Sequence, residues 1–259
     1  MADETSEETV QYHIGLSKAA LKGATLALLP GDPGRVEALA EALGEYKLIG
    51  FHREYKSALV SCGETRVLVM STGMGGPSVA IGVEELARLG VRNLIRVGTT
   101  GAIQPFVALG DLIVNEAAVR LDGTSTHYAP LEFPAVADHI LTGALMEAAH
   151  QLDIPCHLGI AASSDTFWPG QERYDSYTGY VPRRWRGSMA EWQALGVLNY
   201  EMETATLFTV ARAMKLRAAS ICGVVAQRTE AEHVASREIY ALAEQRFQIL
   251  LRTIIWDVN

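Results

Sequence analysis

Val-Leu-Val-Met-Ser-Thr-Gly-Met-Gly-Gly-Pro-Ser, residues 67–78, is a short apolar run that passes directly into a glycine-rich turn. A run of this length bounded by glycines predicts a buried strand. The apolar spacing that follows predicts a helix over Pro77–Leu89, with proline in its first turn. Because the first N–H groups of a helix are free, such a strand–turn–helix junction is a natural binding place for an anion.

The same unit recurs on both sides of this segment. Thr25–Leu29 is predicted to be a buried strand, and it leads into Gly31–Arg35, where Asp32 can cap the helix predicted over Val36–Leu43. Asn93–Val97 is a further predicted strand that leads into a predicted loop, Gly98–Gly101. Strands and helices continue to alternate to the C-terminus, which predicts an α/β fold. The other predicted strands are 112–119, 157–162 and 217–226, and the other predicted helices are 137–152, 188–195, 203–216 and 236–254.

Composition limits the classes of function. The chain has 259 residues, 49% of them hydrophobic, and a formal net charge of −8. An acidic chain lacks the broad basic face that binds nucleic acid, and no stretch approaches the ~20 apolar residues of a membrane helix. Three isolated cysteines, Cys62, Cys156 and Cys222, indicate neither a disulfide framework nor a zinc site.

The domain organisation is predicted to be simple. Met1–Val10 is acidic and polar, without the features of a signal peptide, so a cytoplasmic protein with a loose tail over residues 1–10 is expected. No linker or repeat interrupts residues 11–259, which are expected to form a single domain. The one long irregular stretch is Tyr174–Gly187, and its basic run Arg183–Arg186 is interpreted as a solvated loop.

The glycine-rich turns gain specificity in combination. None of them matches the loops that bind nucleoside triphosphates or dinucleotides. In this order, however, Gly31–Arg35, Ser71–Ser78 and Arg96–Gly101 resemble signature segments of the nucleoside phosphorylase superfamily, and Asn199–Ala205 resembles its ribose-binding segment. The resemblance runs from about Tyr12 to the last helix. It implies a three-layer α/β/α sandwich around a central mixed sheet, and an enzyme that transfers a pentosyl group.

Two further segments indicate the substrate. Ser163–Arg173 resembles the uracil-recognition segment of the uridine-specific branch of this superfamily. A glutamine amide can pair with uracil N3–H and a carbonyl, and an arginine can donate to the carbonyls. Gly223–Thr229 carries Arg228 and no acid, whereas the purine enzymes carry an aspartate there. The resemblance thus implies reversible phosphorolysis of uridine, with deoxyuridine and thymidine as further candidates, to uracil and ribose 1-phosphate. Inorganic phosphate is the co-substrate and no cofactor is required.

The resemblance also implies roles for individual residues. Those expected to bind phosphate are Gly31, Arg35, Arg96 and Thr99, with Arg53 from a neighbouring subunit. Those expected at the ribose are Met202, Glu203 and, across the subunit boundary, His13. Those expected at the base are Phe167, Gln171 and Arg173, with Arg228 acting through water. Arg96, Gln171, Arg173 and Arg228 are the residues expected to drive catalysis. Glu54, Met74 and Ser78 match a potassium site of some relatives, and the shared site implies a dimer unit within a homohexamer.

Three alternatives stay open at this point. A purine nucleoside phosphorylase is disfavoured by the missing acid near Arg228. A nucleosidase that uses water has no need of Arg35 and Arg96. The third is a catalytically silent nucleoside-binding relative. It is disfavoured because such a protein could lose the arginines expected to bind phosphate, and this chain retains them. One departure from the bacterial pattern is Gln227, where asparagine is expected.

Overall fold

The computed structural model describes residues 6–229 and 232–257, and eleven strands of that part form one mixed sheet. The strands are β1 (Leu26–Pro30), β2 (Glu45–His52), β3 (Tyr55–Cys62), β4 (Thr65–Met70), β5 (Asn93–Ala102), β6 (Leu112–Leu121), β7 (Ala135–Val136), β8 (Cys156–Ser164), β9 (Asn199–Glu201), β10 (Arg217–Arg228) and β11 (Glu232–Val234). Their order is β11-β10-β6-β8-β9-β5-β1-β4-β3-β2, with β7 beside β6.

Part of this sheet closes on itself. Strand β5 pairs in parallel with both β1 and β10, and it also pairs with β9. Strand β10 pairs with β6, which reaches β9 through β8, so β5, β10, β6, β8 and β9 form a ring. The runs of valine, isoleucine and leucine in β1, β4 and β5 are buried, as expected for central strands that are covered on both faces.

Helices cover both faces of the sheet, as the predicted three-layer α/β/α fold requires. They are α1 (Lys18–Leu21), α2 (Val36–Leu43), α3 (Gly76–Arg88), α4 (His139–Gln151), α5 (Ser188–Ala194), α6 (Thr204–Ala213) and α7 (Arg237–Asp257). One buried apolar cluster joins α3 and α6 to the sheet, and a second joins α2, α4 and α7 to it. Since the helices in each cluster bury an apolar stripe, the two clusters define the two outer layers.

The predicted elements lie close to the observed ones. The helix predicted over Val36–Leu43 has those bounds, and a single 3₁₀ turn, Pro33–Arg35, precedes it. Asp32 caps that turn by accepting a hydrogen bond from the Gly34 N–H at 2.8 Å. Within Tyr174–Gly187 the structure contains only the 3₁₀ turn Arg183–Trp185, in agreement with an irregular segment.

Two parts of the chain differ from the sequence-based expectation. The loop predicted at Gly98–Gly101 is wrong, because these residues continue β5 and pair with β10 on one side and, at Gly101, with β9 on the other. The hairpin of β2 and β3 was not predicted. Strand β2 lies at the sheet edge and is mostly exposed, so its sequence lacks the buried apolar run on which strand prediction depends.

No helix in the described ranges is both long and apolar enough to cross a bilayer. Of the predicted tail, residues 1–5 lie outside the described residues, and residues 6–10 are exposed.

Candidate active site

A cavity of about 710 Å³ opens at the carboxyl ends of the parallel strands β1, β5 and β10. This is the edge at which open α/β sheets bind their ligands. Among the predicted site residues, those that line the cavity are Gly31, Arg35, Met74, Arg96, Thr99, Phe167, Gln171, Arg173, Met202 and Glu203. The structure therefore brings together side chains from segments that are far apart in the sequence.

The glycine-rich turns meet at one end of the cavity. The N–H of Gly73 donates to the Gly31 carbonyl at 2.9 Å, which ties the turn after β4 to the turn after β1. A Cβ on Gly31 would lie 3.3 Å from the Gly73 carbonyl oxygen, so the close approach favours glycine. Arg35 and Thr99 line the same end. We call this region, with Arg96, the phosphate end.

Arg96 is the most firmly held of the cavity arginines. Its Nε donates to Glu201 at 3.1 Å, its Nη2 forms an ion pair with Glu203, and its side chain is 7% exposed. Burial lowers the pKa of Arg96, but the two carboxylates, Glu203 first, raise it by more, so the guanidinium stays charged. Gly98 leaves space for this group, since a Cβ there would lie 2.8 Å from Arg96 Nη2.

The two glutamates beside Arg96 have different surroundings. Glu201 accepts from the N–H groups of Glu203 and Thr204, both at 2.8 Å, at the start of α6, and it also contacts the Ser163 hydroxyl. Glu203 accepts from the Gly75 N–H at 2.7 Å. Burial raises the pKa of Glu203, and Arg96 opposes that rise. The prediction favoured Glu203 over Glu201 as the ribose ligand, and the full set of contacts around Glu201 agrees with a structural role for the latter.

Aromatic and polar side chains line the opposite end of the cavity, which we call the base end. The Arg173 guanidinium lies 4.2 Å from the centre of the Phe167 ring, and Arg228 Nη2 donates to the Gln171 carbonyl at 2.9 Å. Burial lowers the pKa of Arg228, and the nearby charge of Arg173 lowers it further. Arg173 Nε and Arg228 Nη1 are buried and have no hydrogen-bond partner in the described structure. Unpaired donors of this kind are costly unless a ligand or water satisfies them.

Two polar residues of the cavity were missed by the sequence reasoning. Glu232 lines the base end, 2.5 Å from Arg173 Nη1 and 3.9 Å from Arg228 Nε. Tyr240, on α7, lines the phosphate end beside Arg35. Neither residue belongs to a motif. The only signal for Glu232 was its position four residues after Arg228.

Five predicted site residues lie outside the cavity lining, and they are Arg228, His13, Arg53, Glu54 and Ser78. Arg228 still contacts the base end through Gln171. His13 lies with its Nδ1 2.6 Å from Glu85, whose carboxylate also accepts from the His13 and Ile14 N–H groups. Arg53 occupies the turn between β2 and β3 with a positive φ of 55°, and its guanidinium is 5.8 Å from the exposed Tyr12 ring.

The predicted potassium ligands surround Gly73. A Cβ at Gly73 would lie 2.9 Å from Glu54 Cγ and 3.4 Å from Ser78 Oγ, so both side chains pack next to it. The Ser78 hydroxyl is 3.3 Å from the Met74 carbonyl. Carboxylate, hydroxyl and carbonyl oxygens are the ligand types that a hard cation takes. Among the described residues, no group of three or more His, Cys, Asp or Glu side chains is placed to hold a metal ion.

Fold and cavity together define an α/β protein with a ligand-sized cavity, which is lined by glycine-rich turns and arginines in one part and by aromatic and polar side chains in another. Comparison with known proteins gives the family. A model described as the phosphorylase superfamily matches residues 25–255. The chain belongs to the phosphorylase superfamily.

Three relatives illustrate its relations within that family. The chain is 54% identical to uridine phosphorylase of Salmonella typhimurium over 221 residues, 85% of this chain and 87% of the relative. It is 45% identical to uridine phosphorylase of Thermococcus kodakarensis over 249 residues, 92% of this chain and 89% of the relative. It is 38% identical to guanosine phosphorylase of Halorubrum lacusprofundi over 199 residues, 77% of each chain.

Proposed function

We propose that this chain catalyses the reversible phosphorolysis of uridine to uracil and ribose 1-phosphate. The observation that carries the proposal is the single cavity that has Arg35 and Arg96 at one end and Phe167, Gln171 and Arg173 at the other. The identity of 54% to a uridine phosphorylase supports the choice of nucleoside. Deoxyuridine and thymidine are the related substrates to compare with it.

Phosphate occupies the end with the glycine-rich turns. The backbone of Gly31, the hydroxyl of Thr99 and the guanidinium groups of Arg35 and Arg96 are its donors. Arginine is suited to this role because its planar fork matches two phosphate oxygens. Phosphate is a substrate, and the proposed reaction needs no organic cofactor.

Ribose lies between the two ends of the cavity. Glu203 accepts hydrogen bonds from its 2′- and 3′-hydroxyls, and Met202 packs on the sugar. The support for Glu203 is its buried carboxylate, which lines the cavity and is fixed by Arg96 and by the Gly75 N–H. A carboxylate held in one place orients the sugar above the phosphate.

The reaction breaks the bond between C1′ of the ribose and N1 of uracil. The electron pair of that bond leaves with the base, and a phosphate oxygen forms the new bond to C1′. Charge that develops on the uracil carbonyls is stabilised by Gln171 and Arg173, with Arg228 behind them through water. The buried, unpaired Arg173 Nε and Arg228 Nη1 support this role, because preorganised donors are worth most away from solvent.

A second copy of the chain completes the site in this proposal. His13 and Arg53 lie outside the cavity of their own chain, close to exposed apolar side chains such as Tyr12 and Phe51. We propose that they reach the ribose 5′-hydroxyl and the phosphate of a neighbouring subunit, in a dimer unit of a homohexamer. Light scattering on the purified protein measures the number of subunits.

Three further predictions belong to this proposal. Potassium, if it binds, is held by Glu54, Met74 and Ser78, whose positions beside Gly73 support this, and it orders this turn beside the cavity. Residues 11–259 form one domain. The enzyme is cytoplasmic, which cell fractionation tests.

The test is uracil release from uridine with and without inorganic phosphate, with inosine and guanosine in parallel. Phosphate-dependent release from uridine alone supports the proposal. Release without phosphate would indicate a nucleosidase, and cleavage of neither nucleoside class would indicate a silent relative. Arg35→Ala is expected to raise the KM for phosphate and Gln171→Ala the KM for uridine, each with little effect on the other substrate.

A purine substrate is the second candidate in this test, and Glu232 is the reason. The strand end Gly223–Thr229 has no acid, but Glu232 places a carboxyl group at the base end. Its carboxylate is paired with Arg173 at 2.5 Å, and this contact commits it to the base-end arginines. Preferential cleavage of guanosine or inosine would overturn the uridine proposal.

A further inference from the structure

The C-terminal helix holds Arg35 through Glu244, a residue outside the cavity lining. Arg35 Nη1 donates to the Val97 carbonyl at 2.7 Å, and Nη2 lies 2.8 Å from Oε1 of Glu244 on α7. Arg35 lines the cavity, whereas Glu244 lies outside the lining. Two of the five N–H groups of this guanidinium are thus committed to fixed partners.

The Arg35–Glu244 pair is shielded from most of the solvent. The two side chains are 11% and 21% exposed, and the Arg35 guanidinium carbon lies 5.6 Å from the centre of the Phe247 ring. Arg35 Nε is buried and has no hydrogen-bond partner in the described structure. Charges in such surroundings are screened less than surface charges, so Glu244 acts on whatever Arg35 binds.

Glu244 has two opposite effects on a phosphate at Arg35. It fixes the direction of the guanidinium, which helps binding because less side-chain freedom is lost. It also places a negative charge beside the guanidinium that is proposed to contact phosphate, and phosphate itself carries more than one negative charge at neutral pH. For a multiply charged ligand the repulsion outweighs the orientation, because Val97 still anchors the guanidinium from its other side.

We infer that Glu244 sets the affinity of the site for phosphate below the value that Arg35 alone would give, an inference that rests on the proposed phosphate role of Arg35. Phosphate and ribose 1-phosphate carry the same group to the same arginine. Glu244 therefore weakens both, and it leaves the nucleoside and the base unaffected. Weaker binding of a substrate in its ground state raises KM without lowering kcat, so such a residue prevents the enzyme from being held by its own product.

The experiment compares Glu244→Gln, Glu244→Ala and the control Glu238→Gln. Glutamine removes the charge and keeps an oxygen that can accept from Arg35, and alanine removes both. Glu238 is on the same helix but exposed, and it forms no ion pair with Arg35 among the described residues, so its variant removes an equal charge and leaves the Arg35–Glu244 pair in place. Phosphate binding to each protein without nucleoside is measured by isothermal titration calorimetry, and KM and kcat are measured in both directions.

Glu244→Gln is expected to lower the Kd for phosphate and the KM for phosphate and ribose 1-phosphate by about fivefold, the upper range for a partly exposed charge pair. Its kcat and its KM for uridine and uracil are expected to stay within about twofold of the wild type, as are all constants of Glu238→Gln. Glu244→Ala is expected to bind phosphate more weakly than Glu244→Gln, because Arg35 then loses its second anchor.

Several results would overturn the inference. An unchanged or raised Kd for phosphate in Glu244→Gln would show that its charge does not act on the site, and equal values for the glutamine and alanine variants would remove the anchoring role. A glutamine variant that fails to fold would assign Glu244 to stability instead. If the wild type binds phosphate but does not cleave uridine, the proposed function fails, and the titrations still decide the role of Glu244.

Discussion

Replacing Arg96 by methionine is expected to remove both a proposed phosphate donor and a large part of the stability of the fold. Methionine has a similar length and no charge, so it leaves the carboxylates of Glu201 and Glu203 buried without their counter-ion. These side chains are 0% and 6% exposed, so water cannot replace the lost partner.

The magnitude follows from the contacts. Breaking a buried ion pair by removal of one partner costs about 3–5 kcal/mol, chiefly because a charge is left uncompensated. Glu201 keeps its hydrogen bonds from the Glu203 and Thr204 N–H groups and from Ser163, and Glu203 keeps the one from Gly75. We therefore expect the lower part of that range, about 3 kcal/mol, or a fall in Tm of about 10 °C for a chain of this size.

The pH dependence gives an independent check. Burial raises the pKa of Glu203, so the folded protein holds a proton on this group at pH values where the unfolded chain has lost it. In that window the folded state binds more protons, and its stability falls as pH rises. Without Arg96 the pKa rises further and the window extends upward. The variant is therefore expected to lose more stability at about pH 8 than at about pH 5.

The assay is thermal and urea unfolding of Arg96→Met beside the wild type at both pH values. Arg92→Met serves as the control, because Arg92 is exposed and its guanidinium donates to the carbonyls of Ala87 and Val91. A loss below about 1 kcal/mol, or a loss that is larger at the lower pH, would refute the account of the Arg96 network.

Three further predictions follow from other contacts. Gly76→Ala places a Cβ 2.5 Å from Thr206 Oγ1 and 2.7 Å from Thr124 Oγ1, so it is expected to destabilise the fold by about 1–3 kcal/mol. Gly143→Ala has no atom within 4 Å of the new Cβ and is expected to stabilise the fold by about 0.5–1 kcal/mol. Urea unfolding measures both changes, and an unchanged stability in Gly76→Ala would contradict the packing. Glu232→Ala is expected to raise the KM for uridine about threefold or more and to leave the KM for phosphate unchanged. The reason is that Arg173 and Arg228 repel each other once the carboxylate that contacts both is removed. Steady-state kinetics measure both constants, and an unchanged KM for uridine would contradict the prediction. Co-refolded subunits of Arg53→Ala and Gln171→Ala are expected to regain about a quarter of the wild-type activity, since one site in each mixed dimer is intact; no recovery would contradict the shared site.

The sequence predicts best what local patterns determine. The buried strands and the helices that follow them show clear apolar periodicity, and Asp32 and Pro33 mark the beginning of a turn that the structure contains. Strand β2 shows no such pattern, because an edge strand with exposed side chains does not require a run of apolar residues. The closure of five strands into a ring depends on pairings between distant segments, which no local pattern encodes.

The candidate site divides in the same way. Gly31, Arg35 and Arg96 belong to recognisable segments, and the structure places all three in one cavity. Glu232 and Glu244 belong to none, because a carboxylate opposite an arginine is specified by the three-dimensional path of the chain and not by spacing. The expected loop at Gly98–Gly101 was wrong for a related reason: Gly98 provides space for Arg96 within a strand, and the segment does not form a turn.

In the cavity, the positions of individual charged side chains matter more than the net charge of the chain. The chain carries a formal charge of −8, and each arginine at the cavity has a carboxylate beside it in the described structure. Arg96 faces Glu201 and Glu203, Arg35 faces Glu244, and Arg173 and Arg228 share Glu232. Four arginines against four carboxylates give one chain no excess of positive charge with which to hold phosphate. Attraction for phosphate must then come from the directions of N–H groups and from charge outside the cavity lining. Arg53 can supply such charge: its guanidinium lies beside the exposed Tyr12 ring, and no carboxylate forms an ion pair with it among the described contacts. In the proposed dimer, Arg53 of the neighbouring copy would provide the positive charge that the cavity of a single chain lacks.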